Sequence, residues 1–358
     1  GVSCFAGCHT TQCWWCVMMQ QHTLSFEDVC VRVPKSQSLI LDHVRGSVSQ
    51  GQLLAILGGS GSGKTTLLNF LAGRTQNLQS SGTILFGGEE FTDDVRKRMS
   101  GYVTQSDHLF AFLTVWETLM FTARFRRQDL TRDQRHELVD RILRELSLRN
   151  VCKSRVGDDI HRGISGGEKR RLSVGVQLVT DPQLLFVDEP TTGLDATMAH
   201  NVMKLLLRLA KHGRMIISTI HQPRSDIFKM FDNMMLLSRG EVVYFGPASS
   251  LVDHFRTIGF DCPVHANPAD FALDTIMIDS RSEILNTLTS QRLQYLKEQF
   301  LQHGFRPGDS TELEGEIEVE VDEAEEGQQL RPEMSASQAS SRFPQFQEIH
   351  GEGNGKRR

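Results

Sequence analysis

Along the first hundred residues the hydrophobic positions come in short runs. Residues 24–33, 53–57 and 83–86 read as strands, each bounded by Gly, Ser or Asp. The run at 53–57 leads into a glycine-rich turn and then into Thr65-Thr66-Leu67-Leu68-Asn69-Phe70-Leu71, so strand, loop and helix follow one another. Between 115 and about 150 the period becomes helical. Leu119, Phe121 and Phe125, then Leu138, Ile142 and Leu146, recur among many Arg and Glu. The chain then alternates: helix from Gly167, strand 184–187, helix 196–211, and strands 215–219, 233–237 and 241–245. Residues 283–301 suit one more amphipathic helix. The pattern predicts a mostly parallel α/β core with a β-rich start and a charged helical insertion.

Composition sharpens this outline. With 358 residues and 39% hydrophobic content, the chain is large enough for one α/β core with a smaller lobe. No window approaches the roughly 18 to 20 apolar residues needed to span a bilayer, so these residues alone are expected to be soluble or peripheral. The formal net charge of -5, concentrated between 309 and 326, argues against a general nucleic-acid binder. From residue 304 on, Glu, Gln, Ser and Gly dominate and aromatics are few.

The expected divisions are an unstructured leader (1–22), a folded domain (23–280, helical subdomain about 110–175), a helical extension (281–303) and a disordered acidic linker (304–358). The acidic run 312–326, with its alternating Glu and Val, does not match an ion-binding loop, so a solvated linker is expected there. The seven cysteines show no framework spacing and fit a reducing setting. Cys13-Trp14-Trp15-Cys16 offers half of a zinc site, but no second close pair follows it. A start at Gly1 and an end in Lys356-Arg357-Arg358 read as a piece of a longer gene product.

Three stretches carry chemistry. Gly58-Gly59-Ser60-Gly61-Ser62-Gly63-Lys64-Thr65 matches a phosphate-binding loop, set between a strand and a helix as that motif requires. Its backbone N–H groups and the helix N-terminus favour phosphate, Lys64 is expected to reach the β- and γ-phosphates, and the Thr65 hydroxyl to ligate Mg²⁺. Asp188 and Glu189 end an apolar strand, where open α/β sheets place ligands. Asp188 is expected to hold Mg²⁺ and Glu189 to polarise the attacking water. Ile164-Ser165-Gly166-Gly167-Glu168, ahead of Lys169-Arg170-Arg171-Leu172-Ser173, makes a second anion site at a helix start.

From about Leu24 to Ser280 the sequence resembles the nucleotide-binding domain of an ABC transporter, with Ile164 to Glu168 similar to its signature motif. The resemblance implies a P-loop NTPase core of RecA-like type with an N-terminal antiparallel β lobe and an inserted α-helical subdomain. It implies ATP and Mg²⁺ as ligands. Gln105 is then the Q-loop glutamine, catalytic and a Mg²⁺ ligand beside Thr65 and Asp188. Gly193-Leu194-Asp195 becomes the D-loop, and His221 a catalytic switch histidine able to donate to the γ-phosphate. Gly58 to Thr66 would bind ATP, joined by Ser165, Gly166, Gly167 and Asp195. The finer resemblance is to the G subfamily of white-type half-transporters. It rests on Gly101-Tyr102-Val103-Thr104-Gln105, the segment from Leu113 to Leu119, Asp188 to Asp195, Ile220-His221-Gln222-Pro223-Arg224 and Asn267-Pro268-Ala269-Asp270-Phe271. The last has no catalytic reason to recur.

One departure is Val33, at the position where many such cassettes stack adenine on an aromatic ring. The resemblance implies two cassettes head to tail, as homodimer or heterodimer, with each ATP between Lys64 of one and Ser165 of the other. It further implies a membrane domain in the same full-length chain or a partner subunit, a place at the cytoplasmic face of a membrane, and export of lipid, sterol or amphipathic xenobiotic. The rival is a soluble ABC ATPase without a membrane domain.

Overall fold

The computed structural model describes residues 22–303, apart from 76 and 159. The expectations for 1–21 and 304–358, including the N-terminal cysteines and the acidic linker, lie outside the described residues.

Two sheets organise the chain. Strands β1 (Thr23–Arg32), β2 (Leu39–Ser49), β4 (Gln79–Phe86) and β5 (Glu89–Glu90) form an antiparallel sheet in the order β2-β1-β4-β5. Strands β3 (Leu53–Gly58), β6 (Ser100–Val103), β7 (Leu184–Asp188), β8 (Met215–Thr219), β9 (Asn233–Ser238) and β10 (Glu241–Pro247) form a six-stranded sheet in the order β10-β9-β3-β8-β7-β6. In the second sheet only the β9–β10 pair is antiparallel. The carboxyl ends of β3, β8, β7 and β6 therefore share one edge.

Period-2 alternation explains why the runs 53–57 and 184–187 are apolar throughout. Leu53, Ala55 and Leu57 of β3, with Leu185 and Val187 of β7, belong to the core shared with the helices of the insertion. Leu54 and Ile56, with Leu184 and Phe186, belong to the core shared with the antiparallel sheet and helix α1 (Lys64–Leu71). Each strand thus needs hydrophobic residues at every position, as its continuous run showed.

After β5 come α2 (Asp93–Met99) and β6, followed by three helices, α3 (Val115–Arg126), α4 (Arg132–Glu145) and α5 (Gly166–Leu178). Thr114, Thr131 and Ser165 each form a capping box with Glu117, Gln134 and Glu168, which fixes where these helices start. Helix α6 (Ala196–Lys211) joins β7 to β8, and the short α7 (Ser225–Phe228) precedes β9. The chain continues through α8 (Leu251–Thr257), α9 (Pro268–Ile276) and α10 (Glu283–His303). Among the described residues no helix is long and apolar enough to cross a membrane.

Several elements differ from the sequence expectation. Strand β2 was not anticipated although it spans eleven residues, because Asp42, His43 and Arg45 interrupt its apolar positions. β4 begins at Gln79, four residues before the expected start, since backbone pairing with β1 extends it through exposed Ser and Gly. β1 ends at Arg32, so Val33 lies just beyond it, where its N–H and carbonyl close a turn with Ser38 and Gln37.

Candidate functional site

The phosphate-binding loop follows β3 and caps α1 with Gly63, whose φ is +101°. A side chain there is excluded twice over: the conformation is left-handed, and a Cβ would lie 2.7 Å from Leu41 Cδ2. Lys64 folds back over the loop, its Nζ donating to the carbonyls of Gly58 (3.0 Å) and Gly59 (2.9 Å). Burial lowers the Lys64 pKa, and the neighbouring Glu189 and Asp188 carboxylates work against that shift. The Ser62 hydroxyl is buried and has no hydrogen-bond partner. A loop that leaves a buried hydroxyl unpaired, beside an ammonium resting on loop carbonyls, fits a polyphosphate.

Beside it, β7 ends in Asp188, only 5% exposed. Its Oδ1 accepts from Thr65 Oγ1 at 3.2 Å and from Thr219 Oγ1 at 2.6 Å, and Tyr102 OH reaches Oδ2 at 3.5 Å. Burial first, then the Asp188 charge, pushes the Tyr102 pKa above its ordinary value. Arg74 lies over the Tyr102 ring at 4.4 Å. Thr65 hydroxyl and Asp188 carboxylate form a compact oxygen donor pair of the kind Mg²⁺ requires.

Glu189 has a φ of +43°, a left-handed conformation costing on the order of 1–3 kcal/mol for such a residue. Thr219 Oγ1 accepts the Glu189 N–H at 2.9 Å and helps hold it there. The Glu189 carboxylate accepts from Gln105 Nε2 at 2.8 Å and Thr192 Oγ1 at 3.0 Å. His221 follows β8 at the same edge, with an exposed side chain.

The structure thus joins Lys64, Thr65, Asp188, Glu189 and Gln105 around one edge. Ser165, Gly166, Gly167 and Asp195 are not hydrogen-bonded to them. Ser165 caps α5 in its box with Glu168, and Asp195 caps α6 by accepting from Met198 N at 2.8 Å. Gly166 and Gly167 face Leu194 and Met198, where added Cβ atoms would lie at 3.3 and 3.1 Å.

Helix α5 does make one firm connection to the site. Arg170, 4% exposed, donates to the carbonyls of Thr104 (2.8 Å) and Gln105 (2.6 Å) and pairs with Asp107 at 3.2 Å. Ser173 Oγ also donates to Asp107, at 2.7 Å. The loop carrying Gln105 is thereby tied to the helix that starts at Ser165. Sequence reasoning gave no role to Arg170, Asp107, Ser173, Thr219 or Tyr102. A signal existed for Arg170: at three residues from Gly167 and four from Val174 it falls on the buried stripe of α5, where a charge demands partners. Asn267, read as having no catalytic reason to recur, touches the region after all: its Nδ2 donates to the carbonyl of Pro223, two residues beyond His221, at 2.8 Å.

Solved structures show the same fold. One is a part of an ABC transporter complex from Clostridium perfringens, with TM-score 0.57 and 24% identity, covering 67% of this chain and 94% of that one. Another is an ATP-binding cassette in its ADP conformation, with TM-score 0.55 and 21% identity, covering 65% and 96%. The family model described as "ABC transporter" matches residues 41–192. Fold and sequence together define a nucleotide-binding ABC ATPase domain.

Curated relatives narrow the class. ABC transporter G family member 14 of Arabidopsis thaliana is 42% identical over 82% of this chain and 47% of its own. ATP-binding cassette sub-family G member 8 of Homo sapiens is 41% identical over 75% and 40%. A broad substrate specificity ATP-binding cassette transporter of Sus scrofa is 43% identical over 74% and 42%. The chain belongs to the G family of ABC transporters. It spans less than half the length of these relatives. A second family model, "ABC-2 type transporter", matches residues 221–351. Of that stretch, the described part carries β9, β10 and helices α7 to α10.

Proposed function

We propose that this chain is the motor of a G-family half-transporter, binding ATP with Mg²⁺ and hydrolysing it to drive export across a membrane at whose cytoplasmic face it sits. The observation that carries this reading is the chain of bonds linking Thr65, Asp188, Glu189 and Gln105 beside a phosphate loop, with α5 holding the Gln105 loop from behind.

Lys64 leaves its loop carbonyls to meet the β- and γ-phosphates, a short move for a flexible ammonium. Thr65 and Asp188 would hold Mg²⁺, with Gln105 supplying its amide oxygen. The ion, when bound, neutralises developing phosphate charge. Glu189, set by its strained backbone and by Gln105, orients and polarises the attacking water, and His221 donates to the γ-phosphate. Ser165, Gly166, Gly167 and Asp195, unbonded to this constellation, are available to a nucleotide held by a second cassette. That suits a head-to-tail dimer in which ATP bridges the halves.

Four exposed phenylalanines support coupling to a membrane domain of the full-length protein or of a partner subunit. Phe110, Phe112, Phe121 and Phe125 are 53%, 70%, 47% and 63% exposed and meet one another in tilted and edge-to-face contacts along the start of the helical insertion, a patch that a membrane domain would cover. Cargo such as lipid, sterol or amphipathic xenobiotic follows from the family likeness. The soluble-ATPase alternative is less favoured, because the relatives and the second family model are transporters.

The test is light scattering of the full chain carrying Glu189→Gln. A dimer with Mg²⁺ and ATP that dissociates with ADP supports the reading. A monomer under both conditions contradicts it.

A further inference from the structure

On the antiparallel sheet, Cys30 of β1 meets Asp42 and His43 of β2. A sulfur, a carboxylate oxygen and an imidazole nitrogen lie within 4.8 Å of one another. We propose that these three side chains bind a zinc ion, with Asp28 fixing the imidazole.

The backbone makes the cluster possible. Adjacent strand residues point to opposite faces, so Asp42 and His43 would ordinarily be kept apart. His43 instead has a φ of +45°, and Asp28 on the facing strand a φ of +52°. The β1–β2 register shifts between Phe26 and Val29 and again between Val29 and Val31. These bulges break the alternation and bring both neighbours to one side, where His43 Nε2 lies 3.8 Å from Asp42 Oδ1. The same distortion points the His43 N–H at Cys30 Sγ, at 3.4 Å.

The donor set selects the ion. Thiolate, imidazole and carboxylate together suit zinc, whereas Mg²⁺ and Ca²⁺ take oxygen ligands. Zinc-to-ligand lengths of about 2.0–2.3 Å in a tetrahedron place ligand atoms about 3.3–3.8 Å apart. The Nε2 to Oδ1 separation of 3.8 Å is about 0.4 Å wider than such a nitrogen–oxygen pair needs, so small torsional adjustments bring in all three ligands. Asp28 Oδ1 lies 3.2 Å from His43 Nδ1, which leaves Nε2 as the nitrogen for the metal. A carboxylate on the far ring nitrogen is the usual support for a zinc-bound histidine. Three protein ligands leave the fourth position to water. The place is connected to the phosphate loop, because Asp42 N donates to Gly240 O at 2.8 Å and Gly240 N to Ser62 O at 3.1 Å. A bound ion would therefore stiffen the strand packed behind that loop.

Cobalt titration of the full chain tests this, because a thiolate bound to Co²⁺ gives a near-ultraviolet charge-transfer band. Cys4, Cys8, Cys13 and Cys16 are present too, so the signal assigned here is the part that Cys30→Ser removes. We expect His43→Asn to remove the same part, Zn²⁺ to displace it, and Asp28→Asn to weaken binding about 10- to 100-fold. A Cys262→Ser control should leave it intact. As a second readout, Zn²⁺ should raise the melting temperature of the parent and not of His43→Asn. Titrations of Cys30→Ser that superimpose on the parent would overturn the proposal. So would a loss in Cys30→Ser that His43→Asn does not reproduce, which marks a lone thiol.

Discussion

Replacing Arg170 by Met keeps the aliphatic stem and removes the guanidinium, so it isolates what that group holds. Arg170 is almost fully buried and binds two loop carbonyls and the Asp107 carboxylate. Two hydrogen bonds from a charged donor contribute about 1.5–3 kcal/mol each. Breaking a buried pair by deleting one partner costs about 3–5 kcal/mol, and the two routes agree. At roughly 2 °C per kcal/mol for a domain of this size, melting should fall by about 6–10 °C. Because the same group anchors Gln105, whose Nε2 reaches Glu189, hydrolysis should fall more than ATP binding, which depends on the phosphate loop. Arg170→Lys should recover only part of both, since an ammonium cannot span two carbonyls and a carboxylate in one plane. Calorimetry, nucleotide binding and phosphate release read the three quantities. Unchanged melting and unchanged hydrolysis in Arg170→Met would refute the idea that α5 holds the Gln105 loop.

Substitutions at two other positions test separate parts of the site. The Lys64 pKa is lowered from 10.5 by burial, so in the window just below 10.5 the unfolded chain holds a proton that the folded chain has released. Stability should therefore rise with pH there in the parent relative to Lys64→Met, and denaturant titrations showing the opposite relative slope would contradict it. Asn267→Ala loses the N-cap of α9 and the bond to Pro223, a cost of about 1–2 kcal/mol in urea unfolding. Asn267→Asp keeps the cap but not the donor to Pro223, so hydrolysis should fall in both variants while stability falls mainly in the first.

The legible parts of this sequence were those in which one physical requirement dominates. The unbroken apolar runs at 53–57 and 184–187 announce strands buried on both faces, and the glycines before Lys64 announce a loop that excludes side chains. β2 is hidden because Asp42 and His43, at its bulge, interrupt the apolar positions, and the start of β4 because backbone pairing, not hydrophobicity, extends it through Ser80. The site was read through its carboxylates, amide and lysine. Its supports, Thr219 under Asp188 and Arg170 under Gln105, act across 31 and 65 residues of sequence, and no local spacing announces such contacts. Asn267 shows the same limit, since its partner Pro223 lies 44 residues away.

Glu189, held between Gln105 and Thr219, is proposed to activate water for hydrolysis of ATP bound between two cassettes. Its most direct test is Mg²⁺-dependent phosphate release by the full chain, measured against protein concentration beside Glu189→Gln. Activity should rise faster than linearly with concentration and disappear in the variant. Hydrolysis strictly proportional to concentration, or undiminished in Glu189→Gln, would contradict it.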